Sequence, residues 1–521
     1  MDATSARGPE TEPEDRPAIG RWLPLVAAAV VAAVTLDGDF VFDDVTAILE
    51  NPVVTGQVPW HEAWIRSFWG EPFGAGGVQT YRPLGTLHLT LLHALFGENP
   101  LGYRVLSVIL HVGAVWAGQR LLVALRAPAG VAHAGALLFA THAVHAQALG
   151  MIVGQVDVLS TLLGLVAIER WIAGGRLRIA VATLLLLVAC LIKESAFVYG
   201  MAVLVLLVVP GTPRERRVAA VPIGLVVAAV VVLQLSLPRV ERDWSQGMVY
   251  GVNGLERVAL GLTWLGKAAR LCIAPTGLVP AHGYAEVDPS LNTLAPHALV
   301  GAVALVALGC GWVVALRRGA SAVVVLGVVG LGPLVLVSSL LVRTPTDLPE
   351  RLLYGASFAV SGLVAIALAR GMADPARRTL AIGLLALAMF GAGAVAQRPW
   401  VSSRALFDYA VETAPMVMNH RAFRAVTASR AGQPDVAAYE LGVAAYLFNQ
   451  YPRPVPPERL RDYEAHHAPN DWRALPADLF GGNPCVSVFG LLSAARAKVP
   501  AIERHMLAGF TDRYPRCFVR R

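Results

Sequence analysis

The chain alternates between apolar stretches close to bilayer-crossing length and short polar segments rich in Arg, Pro and Gly. A hydrocarbon core of roughly 30 Å asks for about 20 helical residues, and a bundle tolerates shorter or tilted ones. On that spacing the sequence predicts spans near residues 21–37, 102–124, 131–149, 157–174, 178–192, 195–210, 218–237, 296–316, 321–342, 352–370 and 378–396, about eleven in all. Polar residues interrupt the third of these and the 178–210 region. The expected fold is all-α, a polytopic membrane helical bundle over residues 21–397 with a first external loop at 38–101. Residues 1–20 are polar, rich in Pro and Glu and without apolar period, which predicts a disordered cytoplasmic tail. The run from Trp22 to Leu36 ends in acidic DGDF and lacks a small-residue cleavage site, so it is read as a retained span and not as a signal peptide.

Composition sharpens this picture. Hydrophobic residues are 55% of the chain and charged residues 15%, where a soluble domain carries nearer a quarter. The net charge of +7 does not point to nucleic acid, because the arginines gather in short clusters between apolar runs and form no basic stripe with interleaved aromatics. With the N-terminus in the cytoplasm, the inside loops carry Arg120 and Arg126, then Arg170, Arg176 and Arg178, then Arg214, Arg216 and Arg217, then Arg317 and Arg318, then Arg370, Arg377 and Arg378. Every inside loop is then basic, as the positive-inside rule asks. An odd span count sends everything after about residue 398 outside, as in a multi-pass protein of a bacterial inner membrane with a periplasmic C-terminus. The same sidedness puts four polar groupings on the outer face: DGDFVFDD, the pair His142 and His145 with Asp157, the step Lys193-Glu194, and PERLLY. Ionisable groups beside spans are costly and often functional.

The segments FVFDDVTAILENPVV, YRPLGTLHLTLLHALFGENPLGYRVLSVILH, LFATHAVHAQALGMIVGQVDVLSTLL, IKESA and PERLLYGASF follow one another in that order within a stretch from about Phe40 to Tyr409. In this order they resemble the membrane half of the transmembrane and tetratricopeptide-repeat O-mannosyltransferases and their bacterial relatives in the GT-C class of membrane glycosyltransferases. The resemblance implies transfer of a sugar, mannose being one candidate, from a polyprenyl-phosphate donor to an acceptor hydroxyl of a protein or glycan on the exoplasmic side, beside membrane lipid. That chemistry asks for a carboxylate to take the acceptor's proton and a cation to meet the departing phosphate. Asp43 and Asp44 match the acidic pair of the family's first external loop. Taken alone, a DD pair reads more readily as a helix N-cap or solvated loop; its place in the resemblance and the preceding FVF turn the reading toward function.

Arg351 in PERLLY is the candidate for the phosphate, since a guanidinium offers a planar donor fork and stays charged beside apolar surface. Its neighbour Glu350, Tyr81 and Arg82 of YRPL, and Lys193 complete the candidate substrate-binding set, with Asp157, His142 and His145. The bland alternatives are a snorkelling or Glu350-paired Arg351 and a Lys193–Glu194 ion pair. His142 and His145 stand three apart, on one face of a helix. Two histidines are not a metal site, and a third ligand such as Asp157 would have to come from the next span, so no cofactor is assigned and a divalent metal stays open. Where the family reads HPVHVE this chain reads HAVHAQ, with Gln147 in place of the acid, which leaves room for a divergent or inactive member. No nucleotide-binding glycine loop, GxSxG or Walker pattern is present, as suits a lipid-linked donor.

Residues 398–452 carry two helical apolar patterns around Gly432, readable as one degenerate tetratricopeptide unit or as an ordinary helical hairpin. Residues 453–521 form a further exoplasmic extension, proline-rich and then helical from about Ser487. Cys485 and Cys517 are the two cysteines of the exported tail, and a disulfide between them is expected. The competing functions are a transporter or flippase of lipid-linked sugars and a non-catalytic membrane scaffold. The former predicts internal repeats and mid-membrane charges, neither of which the sequence displays.

Overall fold

The computed structural model describes residues 19–75, 80–210, 214–237, 252, 254–283, 291–341, 347–450, 457–466, 469–475 and 484–518. The predicted N-terminal tail lies outside them over residues 1–18. Among the described residues there is no strand, only two isolated bridges at Arg66–Pro72 and His282–Asp347. The chain begins with α1 (Ile19–Ala32), α2 (Pro83–Phe96), α3 (Pro100–Ala124), α4 (Ala129–Ala140), α5 (Ala146–Gly150), α6 (Gln155–Ala173) and α7 (Arg176–Ile192). It continues with α8 (Phe197–Val205), α9 (Arg214–Ala219), α10 (Val221–Ser236), α11 (Gly254–Ile273), α12 (Leu291–Arg317), α13 (Ser321–Val337), α14 (Tyr354–Gly371) and α15 (Pro375–Gln397). The tail holds α16 (Ser403–Thr413), α17 (Met418–Arg430), α18 (Pro434–Gln450), α19 (Pro457–His466), α20 (Pro484–Lys498) and α21 (Pro500–Arg513).

Local signals set several boundaries. Asn99 accepts from Leu101 N ahead of Pro100 to start α3, and Asp374 accepts from Ala376 N ahead of Pro375 to start α15. Gly174 and Gly175, at φ +72° and +87°, make the reversal between α6 and α7, where a side chain would be strained. Among the described residues, five helices are long and apolar enough to cross a membrane, five shorter apolar helices accompany them, and the segment Ala143–Gly150, which includes α5, forms with α6 a pair bent by 115°. On α15, Leu380, Leu384 and Leu387 stand exposed at helical spacing, as a lipid-facing stripe does. The chain is an integral membrane protein. Its largest core runs through α1, α3, α4, α6, α7, α8, α10, α13 and α14, with Trp171, Phe139 and Phe358 fully enclosed. Close helix approach depends on small residues: a Cβ at Gly164 on α6 would lie 2.2 Å from the ring of Tyr199 on α8.

Three expectations are corrected. The stretch 131–149 is not one helix, because it breaks at Thr141 and restarts as the short α5 before a second break at residues 151–154. The backbone N–H groups of Ile152 and Val153 leave the helical pattern for the Asp44 carboxylate, at 3.1 and 2.8 Å. The external stretch 38–101 is not all loop, since α2 lies in it and packs against α7. Finally, α11 appears where no span was read. Its Glu256, Arg257, Lys267 and Arg270 mask an apolar face that packs against α12 and α13.

The tail helices surround their own apolar cluster, centred on Trp472, Tyr446, Leu491 and Phe510. Cys485 and Cys517 are disulfide-bonded, with Cα atoms 5.2 Å apart. The α17–α18 hairpin turns at Gly432, φ +69°.

Candidate functional site

The stretch after α1 is locked in place before any candidate residue is reached. Arg104, 2% exposed on α3, donates through Nε to Gly38 O at 2.9 Å, through Nη1 to Gly150 O at 3.2 Å, and through Nη2 to Asp39 O. One cation thus ties the first external stretch to the C-terminus of α5. The sequence reading passed over Arg104, although a lone arginine inside an apolar run is a signal in itself, because its burial demands partners.

The acidic pair divides. Asp44 is fully buried, and its Oδ2 accepts from Val41 N (3.0 Å) and Ile152 N while Oδ1 accepts from Val153 N. Burial pushes its pKa up to about 6, against the opposing pull of those three N–H groups and of Arg104. Asp43 turns the other way and pairs with Arg351, Oδ2 to Nη1 at 2.9 Å, with side chains 19% and 14% exposed. Among the described residues no other partner holds Asp43, so Oδ1 is open.

Around this pair stand four more charges. Arg82, at the start of α2, grips Glu194 with both arms, Nε to Oε2 and Nη2 to Oε1, each at 2.7 Å, and lies over the Phe68 ring at 5.3 Å. Lys193 donates to Asp157 Oδ1 in a short contact, and both are buried. Arg82 feels the charges of Asp157 and Asp43 as well as Glu194, and Lys193 feels those of Arg82 and Arg351. Three cations and three carboxylates therefore form one balanced cluster where the first external stretch, α6, the α7–α8 joint and the 350–353 turn meet. A narrow cleft adjoins it, with Asp157, Ser160, Thr161, Ser195, Tyr199 and Arg351 on its polar side. Tyr81 sits half-buried near the ring of Phe73, centroids 5.9 Å apart.

The remaining candidates point elsewhere. Glu350 is buried with its Oε1 on Val279 N (3.0 Å) and His282 Nε2 (2.9 Å), so it anchors the 278–282 strap and does not pair with Arg351. Gln147 accepts from Arg351 N at 2.7 Å and donates to Pro280 O at 2.8 Å. A carboxylate could make the first bond and not the second. His142 donates from Nε2 to Cys272 O at 2.9 Å, which leaves Nδ1 to accept from Val144 N. His145 bonds Ser357 Oγ at 2.8 Å and packs on Tyr354, centroids 4.6 Å apart. Asp157 is held by Lys193 and not by these histidines, and among the described residues no three His, Cys, Asp or Glu side chains gather as a metal would require. The chemistry on offer is a partly exposed carboxylate beside a guanidinium with free donors, at the mouth of a polar cleft.

Known proteins share part of this chain. It is 34% identical over 152 residues to the protein O-mannosyl-transferase TMTC2 of Mus musculus, a match covering 28% of the chain and 18% of that protein. The protein O-mannosyl-transferase F38B6.6 of Caenorhabditis elegans is 32% identical over 155 residues, 29% of the chain and 22% of the relative. The protein O-mannosyl-transferase Tmtc1 of Drosophila melanogaster is 37% identical over 170 residues, 31% of the chain and 19% of the relative. The chain thus spans about a fifth of the length of these curated relatives. No family model matches it, and no solved structure does. The family that the motifs resemble and the names of these relatives agree.

Proposed function

We propose that this chain is a GT-C-type membrane glycosyltransferase that moves a sugar, mannose in the first instance, from a polyprenyl-phosphate carrier to an acceptor hydroxyl on a protein or glycan at the exoplasmic face. The single observation that carries the reading is the Asp43–Arg351 pair at the mouth of the cleft, 2.9 Å apart, in a chain similar to named O-mannosyl-transferases. Asp43 Oδ1 takes the proton as the acceptor oxygen bonds to the anomeric carbon. The bond from that carbon to the phosphate oxygen breaks, and its electron pair leaves with the polyprenyl phosphate. Arg351 spends one donor on Asp43 and has others for the phosphate, so one cation both aims the base and stabilises the leaving group. Asp44 holds the stretch that carries Asp43.

Sidedness follows the same reading. The predicted stretches other than 131–149 coincide largely with helix, which supports a many-span bundle, and the arginine clusters support an odd count near eleven, a cytoplasmic N-terminus and an exported tail. The Cys485–Cys517 disulfide supports that export, since such bonds persist in oxidising compartments.

The test is transfer from a panel of polyprenyl-phosphate sugars by the purified chain. Asp43→Asn should lower kcat by about 100-fold or more, the usual worth of a positioned base, with normal thermal stability. Full activity in Asp43→Asn would overturn the assignment, and no transfer with any donor would overturn the function.

A further inference from the structure

Asp157 is 5% exposed and uses only Oδ1 on Lys193; among the described residues its Oδ2 has no partner. A buried carboxylate oxygen left without a donor is expensive, and such an atom marks a place where a donor arrives. The cleft that Asp157 lines is two-sided. Ser160, Thr161, Ser195 and Tyr199 supply hydroxyls from α6, the α7–α8 joint and α8, while Val198, Pro333 and Leu336 supply apolar surface from α8 and α13. Arg351 stands at one end, beside Asp43. Hydroxyl-accepting atoms on one wall and aliphatic carbon on the other suit a pyranose, whose ring presents equatorial hydroxyls at its rim and C–H groups on its faces.

We infer that this cleft is the pocket for the donor's hexose, and that Asp157 Oδ2 accepts a hydrogen bond from one of its ring hydroxyls. The inference rests on the proposed polyprenyl-phosphate donor and deepens it. Arg351 then meets the phosphate at the end of the cleft, and the sugar points inward toward Asp157. Lys193 compensates the carboxylate's charge and fixes its rotamer, so that Oδ2 is presented ready-oriented. Tyr199 donates to Thr161 Oγ1 at 2.8 Å, which leaves the Thr161 hydroxyl its own proton to donate to a sugar oxygen.

Asp157→Asn tests this without stranding Lys193. The amide oxygen still accepts from the lysine, while an NH2 donor replaces the free acceptor. Donor binding is read as the rise in Tm of the detergent-purified chain with a short polyprenyl-phosphate hexose, against the same polyprenyl phosphate without sugar. Wild type should bind the hexose form about 10- to 100-fold more tightly than the bare phosphate, as a hydrogen bond to a charged acceptor is worth. Asp157→Asn should lose that preference and bind the bare phosphate as before. A deoxy-hexose donor lacking the recognised hydroxyl should weaken binding to wild type by the same factor and to Asp157→Asn by little. Equal binding of the hexose and bare forms by wild type, or equal losses for every deoxy donor in both proteins, would overturn the pocket. Hexose-selective binding with no transfer would instead overturn the proposed reaction and leave the pocket standing.

Discussion

Replacing Arg82 by Met removes one half of the most closely matched ion pair at the site. The two bonds to Glu194 are each 2.7 Å, and the side chains are 10% and 29% exposed. Two unit charges about 4 Å apart at an effective dielectric near 20 attract by about 4 kcal/mol, and desolvation takes back part of this. Loss of one partner from a buried pair usually costs about 3–5 kcal/mol, and the partial exposure of Glu194 lowers the expectation to about 2–4 kcal/mol. The pair also bolts α2 to the α7–α8 joint, where a Cβ on Gly85 would already lie 2.8 Å from Ile192 O. Arg82→Met should therefore lower the apparent Tm by several degrees. Arg82→Met with Glu194→Gln, which leaves no stranded charge, should recover about half or more of the loss, a coupling of roughly 2 kcal/mol. Thermal scans in detergent at one fixed scan rate measure this, because chains of this size commonly unfold irreversibly. Transfer per folded molecule, measured in parallel, separates anchoring from phosphate binding. If the double variant regains its Tm and transfer stays about 100-fold down, or if the single variant keeps its Tm and loses transfer, Arg82 is a donor ligand and the anchoring argument fails.

Three further outcomes are expected. Cys485→Ser should destabilise the tail by about 3–4 kcal/mol in the chain-entropy model, since the bond closes a separation of 32 residues, and non-reducing mass spectrometry should recover the linked peptides from wild type. Free thiols at both positions would remove the bond. The Asp44 pKa is about 6 in the fold against 3.8 unfolded, so its contribution to stability is fully present below about pH 4 and is lost as pH rises through 6, by roughly 3 kcal/mol. Scans from pH 4 to 7 should show wild type losing stability relative to Asp44→Asn over that window and no further above it, and parallel curves would contradict the burial argument. Reporter fusions after Arg217 and Arg318 should read cytoplasm and a fusion after Val401 the exported side, whereas a cytoplasmic signal at Val401 would refute an odd span count.

Much of the fold was legible because lipid imposes a one-dimensional rule. Each apolar run must close its own backbone hydrogen bonds, so composition alone places α3, α6, α12, α14 and α15 to within a few residues. It fails where a tertiary partner takes over that closure. Nothing local says that α5 ends at Gly150 and the chain breaks before α6, because that break is held by Asp44 and Arg104, which lie 108 and 46 residues earlier in the chain than the groups they bond. Helix α11 was missed for a related reason: its charges read as loop until the neighbours covering its other face are known. At the site, the chain alone determined which residue types were available, DD, YRPL, KE and PERLLY, and that their burial cost demands partners. Only the tertiary structure decided who partners whom. Asp44 goes to backbone N–H groups and Asp43 to Arg351, Arg82 to Glu194, Lys193 to Asp157, and Glu350 to His282 instead of its own neighbour. Adjacent residues in a turn point in opposite directions, and a charge pairs with whatever the packing brings within about 3 Å, so two carboxylates that are equivalent in sequence come to do different work.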